Sequence, residues 1–272
     1  MTYRPSGPEE QRWLEHYKPG DFPSISLTSD VVLFTIRQGA LCVLLVKRGG
    51  FPYRDYWALP GGFVNQDESA AEGARRELQE ETLVDVDGIH LEQLATYSAP
   101  YRDPRMRVVS VAHVAILPDM PTPIGSDDAA DAHWWAVDDL NLDDEDATEY
   151  EPAHDKPRLA FDHAKIVKDG LERVRAKFEY STLATKFLDD TFSLSELQRI
   201  YETVWGAPIV STENFRRKVL STPGFVMPTD QKTVAPSGMG RPSLLYRAGG
   251  GDTLLQPAML RSAPNRREEI AA

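Results

Sequence analysis

The stretch from residue 61 to residue 84, GGFVNQDESAAEGARRELQEETLV, decides the fold of this 272-residue chain. A glycine pair opens it, and a helical pattern follows in which Glu77, Glu80 and Glu81 stand at i, i+3 and i+4. This spacing brings the three carboxylates onto one stripe of the helix, where like charges repel one another. Carboxylate oxygens suit a hard cation such as Mg2+. The stretch therefore predicts a divalent-cation site on the helix.

The spacing within this stretch matches a known motif. From Gly62 the chain runs through five residues to Glu68, and through seven more to the run RELQEE at 76–81. It resembles the Nudix box, Gly-x5-Glu-x7-Arg-Glu-aliphatic-x-Glu-Glu-x-Gly-aliphatic, except that the last glycine of the box is Leu83 here. The resemblance implies a mixed sheet sandwiched by helices. It also implies hydrolysis of a nucleoside diphosphate linked to another group, with Mg2+ or Mn2+ as cofactor.

The resemblance assigns roles to the residues of the acidic helix. The three glutamates are implied to be catalytic residues and metal ligands, Arg76 to orient one of them in catalysis, and Glu68 to support the loop. A solvated helix face is one alternative, and a ligand-binding scaffold with little turnover is another. Leu83 favours the scaffold mildly, because a glycine there permits a left-handed helix end that leucine adopts only with strain.

Hydrophobic patterning around the box predicts an α+β domain. Apolar, β-branched runs at 30–37 and 41–48 predict a β-hairpin, and the helix of the box is predicted over 68–82. Three further strands are predicted at 91–98, 107–117 and 132–137. The strand at 107–117 has apolar residues at both its odd and its even positions, which is typical of a central strand covered on both faces.

Residues on either side of the box are candidates for a ligand pocket. They are Trp57, Gly61 and Gly62 before the helix, and Arg102, Asp103 and Arg105 on a loop between two predicted strands. An arginine on that loop can bind phosphate bidentately, or the loop is a surface turn with an internal Asp–Arg pair. The Trp57 ring either stacks on a base or packs on the sheet, and both interpretations stay open.

Charge is unevenly distributed along the chain, whose net charge is −12. Residues 127–151 contain 11 acids and no Lys or Arg, whereas residues 211–247 contain six bases and two acids. A local basic patch can bind phosphate groups even in an acidic protein. The asymmetry therefore predicts different partners for the two parts of the chain.

The pattern changes in the last third of the chain. Periodic apolar residues predict a long helix over 157–178, and a shorter helical unit follows at 183–188. The run from Ser193 to Glu196 is a capping box of the Ser-x-x-Glu type, and it opens a helix that ends at Trp205.

A second, basic helix and a hairpin complete this module. Thr212 is predicted to cap a helix over 213–220, and runs at 223–227 and 243–247 predict two strands of a wing. Helix, short turn, basic helix and hairpin in this order form a winged helix-turn-helix. The predicted DNA-binding residues are Arg216, Arg217 and Lys218 on the helix, and Arg241 and Arg247 on the wing. The alternative is an accessory dimerisation domain with solvated charges.

The order of the two modules resembles the Nudix-related transcriptional regulators, the NrtR family. The segments that look like this family are 58–64, 194–224, 240–242 and 245–247. The resemblance implies a homodimeric repressor of NAD biosynthesis or salvage genes that binds double-stranded operator DNA. It implies ADP-ribose, or a related nucleoside diphosphate, as the effector; some relatives sense sugars instead.

Two functions remain open at this point. The first is an ADP-ribose-responsive DNA-binding repressor whose Nudix domain acts as the effector sensor. The second is a Mg2+-dependent ADP-ribose pyrophosphatase whose back module only dimerises, and both activities can exist in one protein. A sugar-phosphate sensor without hydrolysis is a third option.

The predicted division of the chain is an arm at 1–29, a Nudix domain at 30–155, a connecting helix at 156–178, a winged helix-turn-helix domain at 179–248 and a disordered tail at 249–272. The polar N-terminus does not resemble a signal peptide, and no apolar run is long enough to span a bilayer. The single cysteine, Cys42, fits a reducing compartment. We expect a cytoplasmic protein without membrane contact.

Overall fold

The computed structural model describes residues 3–18, 20, 23–82, 89–118, 129–143, 157–209, 211–233 and 242–249. The front of the chain forms a seven-stranded sheet. Its strands are β1 (Ser26–Arg37), β2 (Ala40–Arg48), β3 (Trp57–Ala58), β4 (Gly61–Phe63), β5 (His90–Tyr97), β6 (Val108–Ile116) and β7 (Ala129–Ala136). β1 pairs antiparallel with β2 and parallel with β6, so the sheet is mixed and the predicted hairpin is confirmed.

Helices cover both faces of this sheet. Helix α2 (Ala70–Thr82) packs its buried Ala74 and Leu78 on one face of β1, in a cluster with Val31 and Leu33. Helix α3 (His163–Tyr180) covers the opposite face, where its apolar side chains join those of Val32. β6 lies between β1 and β5 and is buried along most of its length. The predicted α/β/α sandwich with a central, doubly covered strand is therefore confirmed.

The start of α2 corrects one predicted boundary. The helix begins at Ala70 rather than at Glu68. The side-chain oxygen of Ser69 accepts the Glu72 N–H at 3.3 Å, and the Glu72 carboxylate accepts the Ser69 N–H at 2.7 Å. This reciprocal pair is a capping box, and it fixes the first turn of the helix after Ser69.

The start of α3 corrects a second boundary. The helix predicted over 157–178 begins only at His163, and the residues before it are not helical. The Trp57 N–H donates to the Arg158 carbonyl and the Ala160 N–H donates to the Trp57 carbonyl, both at 2.8 Å. These bonds hold the chain extended beside β3, because the edge of β3 offers backbone partners that a helix at 157–162 could not use.

The back of the chain forms the predicted winged helix-turn-helix. Its elements are a 3-10 turn (Leu183–Phe187), α4 (Leu194–Trp205), α5 (Thr212–Ser221), β8 (Val226–Lys232) and β9 (Leu244–Ala248). The capping box of Ser193 and Glu196 is present, and Gly206 ends α4 in the left-handed conformation. β8 and β9 pair antiparallel as the wing.

Two local details of this module differ from the prediction. Ser211, rather than Thr212, caps α5 by accepting the Asn214 N–H at 3.2 Å; the Thr212 hydroxyl instead accepts from Gln198 at 3.1 Å. The first wing strand was expected from residue 223 but starts at Val226. The preceding residues form a turn that buries Phe225 completely.

The N-terminal arm also differs in extent. β1 starts at Ser26, inside the stretch assigned to the arm, and helix α1 (Pro8–His16) buries none of its residues. Cys42 is a buried thiol that forms no disulfide. The predicted tail from residue 250 onward lies outside the described residues. Among the residues that are described, no helix is long and apolar enough to cross a membrane.

Replacing Ser193 by alanine should destabilise the winged helix. The substitution removes the side-chain acceptor of the Glu196 N–H, and losing such a cap typically costs about 1 kcal/mol. Urea unfolding followed by circular dichroism measures this change. Ser195→Ala is the matched control, because Ser195 is exposed one residue into the same helix and should change stability by less than about 0.5 kcal/mol. Equal effects of the two substitutions would contradict the capping role.

Candidate functional site

Arg76 is the centre of the acidic cluster on α2. Its guanidinium binds Glu68 through Nη2 at 2.6 Å and Nε at 3.1 Å. Its Nη1 binds Glu77 at 2.8 Å and Glu80 at 3.1 Å, and Nη2 also donates to the Phe63 carbonyl at 3.1 Å. The bond from Arg76 lowers the pKa of Glu68 to about 2. One arginine therefore ties the loop before the helix to two glutamates on it.

Glu81 has different surroundings from the other acids. Its carboxylate accepts the Gly61 N–H at 2.9 Å and lines a cavity beside β1. Burial raises the pKa of Glu81 to about 8, and the nearby charges of Glu77 and Asp30 act in the same direction. Burial also raises the pKa of Glu77, although the bond from Arg76 opposes the shift. Glu81 is thus the carboxyl of this helix that holds a proton most readily near neutral pH.

The glycine pair permits the close approach of three elements. A Cβ atom at Gly61 would overlap the Ser29 carbonyl and the Asp30 side chain, and one at Gly62 would overlap the Glu77 carboxylate. Only glycine at position 61 therefore lets β4 lie against β1, and glycine at position 62 leaves room for the Glu77 carboxylate of α2. The predicted involvement of both glycines in the site has this steric basis.

The acidic cluster as placed does not match a three-carboxylate metal site. Within the residues described, no three Asp, Glu, His or Cys side chains are set to hold one ion. Arg76 occupies Glu77 and Glu80, and the Glu80 side chain is 60 % exposed. The predicted grouping of Glu77, Glu80 and Glu81 as metal ligands stays a prediction. Leu83, the departure from the box, lies outside the described residues.

A cavity of about 290 Å3 opens between β1, β4, the end of β2 and the start of α3. Its volume is near the lower limit of typical small-molecule sites. The charged and aromatic side chains on its wall are Asp30, Lys47, Arg48, Phe63, Glu81, Arg102, Asp103, Arg105, Phe161 and His163. Trp57 is not among the lining residues, since its ring packs on Trp135 at 5.2 Å. The packing interpretation of Trp57 is therefore the one that the geometry supports.

The loop carrying Arg102, Asp103 and Arg105 reaches this cavity, but its charges are already paired. Arg105 binds Asp103 through two guanidinium nitrogens at 3.0 and 2.7 Å. Arg102 binds Asp162 at 2.9 and 2.6 Å, and its side chain is only 5 % exposed. The internal Asp–Arg pair considered from the sequence is therefore formed, although all three side chains still line the cavity.

Sequence reasoning missed Arg48 and Phe161. The Arg48 guanidinium lies 4.9 Å from the centre of the Phe161 ring, and that of Arg105 lies 5.9 Å from it. Arg48 Nε donates to the Pro52 carbonyl at 3.0 Å. No acidic partner of Arg48 is found among the described residues. The position of Arg48 at the end of a buried strand could have marked it in the sequence as a candidate site residue. No sequence pattern predicts the left-handed conformation of Phe161 (φ 54°).

The buried floor of the cavity was also missed. His163 accepts the Leu59 N–H at its Nδ1 at 2.9 Å, and its Nε2 lies 3.9 Å from Asp30. Burial lowers the pKa of His163, against the attraction of Asp30 and Asp162. Ser110 donates a hydrogen bond to Asp30. An aspartate directly before the buried apolar run at 31–34 could have indicated such a network.

The predicted DNA-binding residues differ in their surroundings. Phe215 and Val219 anchor α5 in the core, and Arg216 and Arg217 on its outer side are exposed. The Lys218 ammonium is buried without a hydrogen-bond partner among the described residues, and burial lowers its pKa. Of the predicted trio on α5, the two arginines therefore lie on the exposed surface, where Arg217 also donates to the Asn214 side chain at 2.7 Å.

The structure describes only one of the two predicted wing arginines. Arg247 is exposed at the base of the wing, where it lines a cleft that also contains Asp189 and Asp190. Arg241 lies outside the described residues. The assignment of both to DNA binding stays a prediction.

Two family models match the chain. Residues 27–156 match the NUDIX domain, and residues 184–248 match the NrtR DNA-binding winged helix domain. The chain is 33 % identical over 250 residues to the ADPR responsive transcriptional repressor NtrR of Acinetobacter baylyi, covering 91 % of each protein.

Two solved structures are also similar to the chain. Shewanella oneidensis NrtR complexed with a 27mer DNA is 32 % identical with a TM-score of 0.67, over 88 % of this chain and 99 % of that one. The NUDIX domain of the same protein complexed with ADP ribose is 34 % identical with a TM-score of 0.51, over 61 % of this chain and 98 % of that one.

Replacing Glu81 by glutamine should stabilise the protein increasingly as pH rises from 5 to 8. The pKa of Glu81 is about 8 when folded, against 4.5 for an ordinary glutamate. Deprotonation therefore favours the unfolded chain in this interval, and a neutral glutamine removes that cost. We expect a gain that reaches roughly 4 kcal/mol at pH 8, measured by urea unfolding. A difference that does not grow with pH would contradict the assignment.

Glu80→Gln is the matched control for this measurement. It makes the same chemical change one position earlier, at a side chain that is 60 % exposed and paired with Arg76 at 3.1 Å. Exposed i,i+4 pairs contribute little, so its effect should stay below about 1 kcal/mol.

Proposed function

The chain belongs to the NrtR family of Nudix-related transcriptional regulators, and from this premise we propose that it is a DNA-binding repressor controlled by ADP-ribose. One observation carries the proposal. The same chain holds a charged, aromatic-walled cavity under a Nudix helix and a winged helix whose basic α5 is exposed. A plain enzyme would use the winged helix only for dimerisation, which requires no exposed basic helix, whereas a ligand-responsive regulator needs both parts.

The winged helix supports DNA binding through the exposed face of α5. In helix-turn-helix proteins the second helix enters the major groove, and dimers read half-sites about one helical turn apart. Arg216 and Arg217 are the residues of this face that we assign to DNA. We further propose that the protein is a homodimer on an operator that controls NAD biosynthesis or salvage genes.

The cavity supports ADP-ribose as the effector. Arg48 offers a half-buried guanidinium for a phosphate oxygen, and the Phe161 ring beside it offers a face for a base or ribose. A ligand regulates only if it binds two arrangements of the protein with different affinity. We propose that ADP-ribose favours the arrangement in which the two winged helices do not fit the operator.

A second candidate function is hydrolysis of ADP-ribose to AMP and ribose 5-phosphate. It is favoured by one observation, that every carboxylate of the Nudix box is present, Glu77, Glu80 and Glu81 on α2 and Glu68 on the loop before it. Nudix hydrolases generally use a divalent metal ion, and Mg2+ or Mn2+ on Glu77, Glu80 and Glu81 is the proposed form here. In this structure Arg76 holds Glu77 and Glu80, so a metal ion would have to displace the guanidinium from both carboxylates.

Fluorescence anisotropy with labelled duplex DNA tests the regulator. DNA from upstream of the protein's own gene should bind specifically in moderate salt, and ADP-ribose should weaken that binding. The effector effect should be about 5- to 150-fold, as for other coupled sites. Failure to bind that DNA more tightly than a scrambled duplex would refute the proposal, and so would indifference to ADP-ribose.

Substitutions on α5 should show which of its three basic residues contact DNA phosphates. Arg216→Ala and Arg217→Ala should each weaken binding and lower the slope of log affinity against log salt by about 1. Lys218→Ala should leave the slope unchanged, because its ammonium is buried. Lys165→Ala on α3, which removes one exposed base far from α5, is the charge control. A slope change in Lys218→Ala equal to those of the arginines would contradict this assignment.

The hydrolase is tested by incubating the protein with ADP-ribose and Mg2+ or Mn2+ and measuring the phosphate that added alkaline phosphatase releases from the products AMP and ribose 5-phosphate. If the protein hydrolyses ADP-ribose, Glu80→Gln and Glu81→Gln should reduce turnover to the level of the protein-free control, because both remove a carboxylate of the cluster. Their operator binding should persist and shows that they are folded. Turnover unaffected by both substitutions would exclude this candidate site.

A further inference from the structure

The start of α3 forms part of the cavity wall. Phe161 and His163 line the cavity, and Asp162 between them is the N-cap residue of α3. Its carboxylate makes no capping bond to the helix. It instead receives two bonds from the Arg102 guanidinium, at 2.9 and 2.6 Å. The first turn of α3 is therefore tethered to the loop on the opposite wall of the cavity.

Polar bonds hold the middle of α3 against strand β5. The Tyr97 hydroxyl donates to Asp169 at 2.8 Å, and Arg173 donates to the Leu94 carbonyl at 3.0 Å. Lys177 forms an ion pair with Glu92. Asp169, Arg173 and Lys177 are spaced by four residues and lie on one side of the helix. This side therefore fixes α3 as one straight body rather than as a flexible linker.

The last turns of α3 contact the winged helix directly. Arg175 Nε donates to the Val204 carbonyl at 2.9 Å, and Trp205 Nε1 donates to the Arg175 carbonyl at 3.2 Å. The Phe178 ring lies 5.0 Å from the ring of Tyr201 on α4, and Tyr201 lies 5.3 Å from Phe215 on α5. An 18-residue helix, about 27 Å long, thus connects the cavity wall to the helix that faces DNA.

We infer that Arg102 and Asp162 are the positioning pair through which an occupant of the cavity acts on the winged helix. The inference rests on the proposed function and adds the route of regulation. The Arg102 side chain is buried, and its guanidinium lies 3.9 Å from Asp30 in the cavity floor. A ligand phosphate in the cavity competes with Asp162 for this guanidinium, because guanidinium binds both anions with the same forked geometry.

The competition provides a difference between two states. Without ligand, Arg102 fixes the N-terminus of α3 through Asp162. With ligand, the guanidinium turns to the phosphate and the tether weakens, so the first turn of α3 can shift and the helix can tilt about its bonds to β5. α4 and α5 follow, since they are packed on the other end of α3. The two states then bind the ligand with different affinity, which is the requirement for coupling.

The test is the coupling ratio, defined as the Kd for operator DNA at saturating ADP-ribose divided by the Kd without it. In Asp162→Asn the ratio should fall to within about twofold of 1, from the roughly 5- to 150-fold expected of the native protein. Calorimetry with ADP-ribose alone should show binding retained. The full-length protein is used throughout, and its melting temperature is recorded for each variant.

Two further variants make the test discriminating. Asp162→Ser keeps a good N-cap residue but no charge, so it should uncouple in the same way even if asparagine is poorly tolerated. Asp139→Asn makes the same chemical change at an exposed aspartate outside α3 and outside the cavity wall, and should retain the native ratio. A native ratio in both Asp162 variants overturns the inference, and so does complete loss of ADP-ribose binding in both, which would make Asp162 part of the binding site itself.

Measuring the native protein in parallel distinguishes failure of the proposed function from failure of the positioning pair. A native ratio of 1 refutes the proposed function before the positioning pair is tested. A native ratio above 1 that persists in both Asp162 variants leaves the regulator in place and removes only the positioning pair.

Discussion

The structure of the candidate site depends on Arg76, which binds three acidic side chains at once. Like charges on one helical stripe destabilise that helix, so a cluster with this spacing needs a cation. Here one guanidinium supplies it, holding Glu68 from the preceding loop together with Glu77 and Glu80 of α2. The loop, the helix and, through the Phe63 carbonyl, strand β4 are thereby fixed relative to one another. The cavity beside β1 takes its shape from this arrangement.

The acids of the box consequently have unequal environments. Glu81 is the glutamate of the RELQEE run that Arg76 does not bind, and it lies at the cavity with its pKa raised to about 8. A protonated carboxyl can donate a hydrogen bond to an anionic ligand, whereas a charged one would repel it. This arrangement suits the binding of a diphosphate. A protein that senses such a ligand and a protein that hydrolyses it can share these residues, since the two functions differ in how the carboxylates are engaged.

The winged helix is joined to this site through α3, which packs on the Nudix sheet and on α4 within one continuous apolar cluster. The capping box of Ser193 and the left-handed Gly206 fix the ends of α4, so the orientation of α5 follows from local sequence signals. Its position relative to the cavity follows from α3. The proposed regulation of DNA binding therefore depends on one helix and on what holds its first turn.

The sequence by itself determined the elements that depend on local spacing. The box predicted α2, its glycine pair and its acidic stripe, and alternating or continuous apolar runs predicted β1, β2, β5 and β6. Capping and turn residues predicted the winged helix, because caps act within four residues of each other. Two helix starts that differed from the prediction also have local causes, because Ser69 and Ser211 cap α2 and α5 in place of the predicted residues.

Only the tertiary structure decided which side chains meet in the cavity. Arg102 and Asp162 are 60 residues apart and Leu59 and His163 are 104 apart, so neither pair could be found from spacing. The extended segment before α3 was likewise set by β3, and burial of the Lys218 ammonium by packing of α5. Sequence patterns record the period of an element and its ends. They do not record which distant backbone or charge will be its partner, because that is fixed only when the sheet brings both to one place.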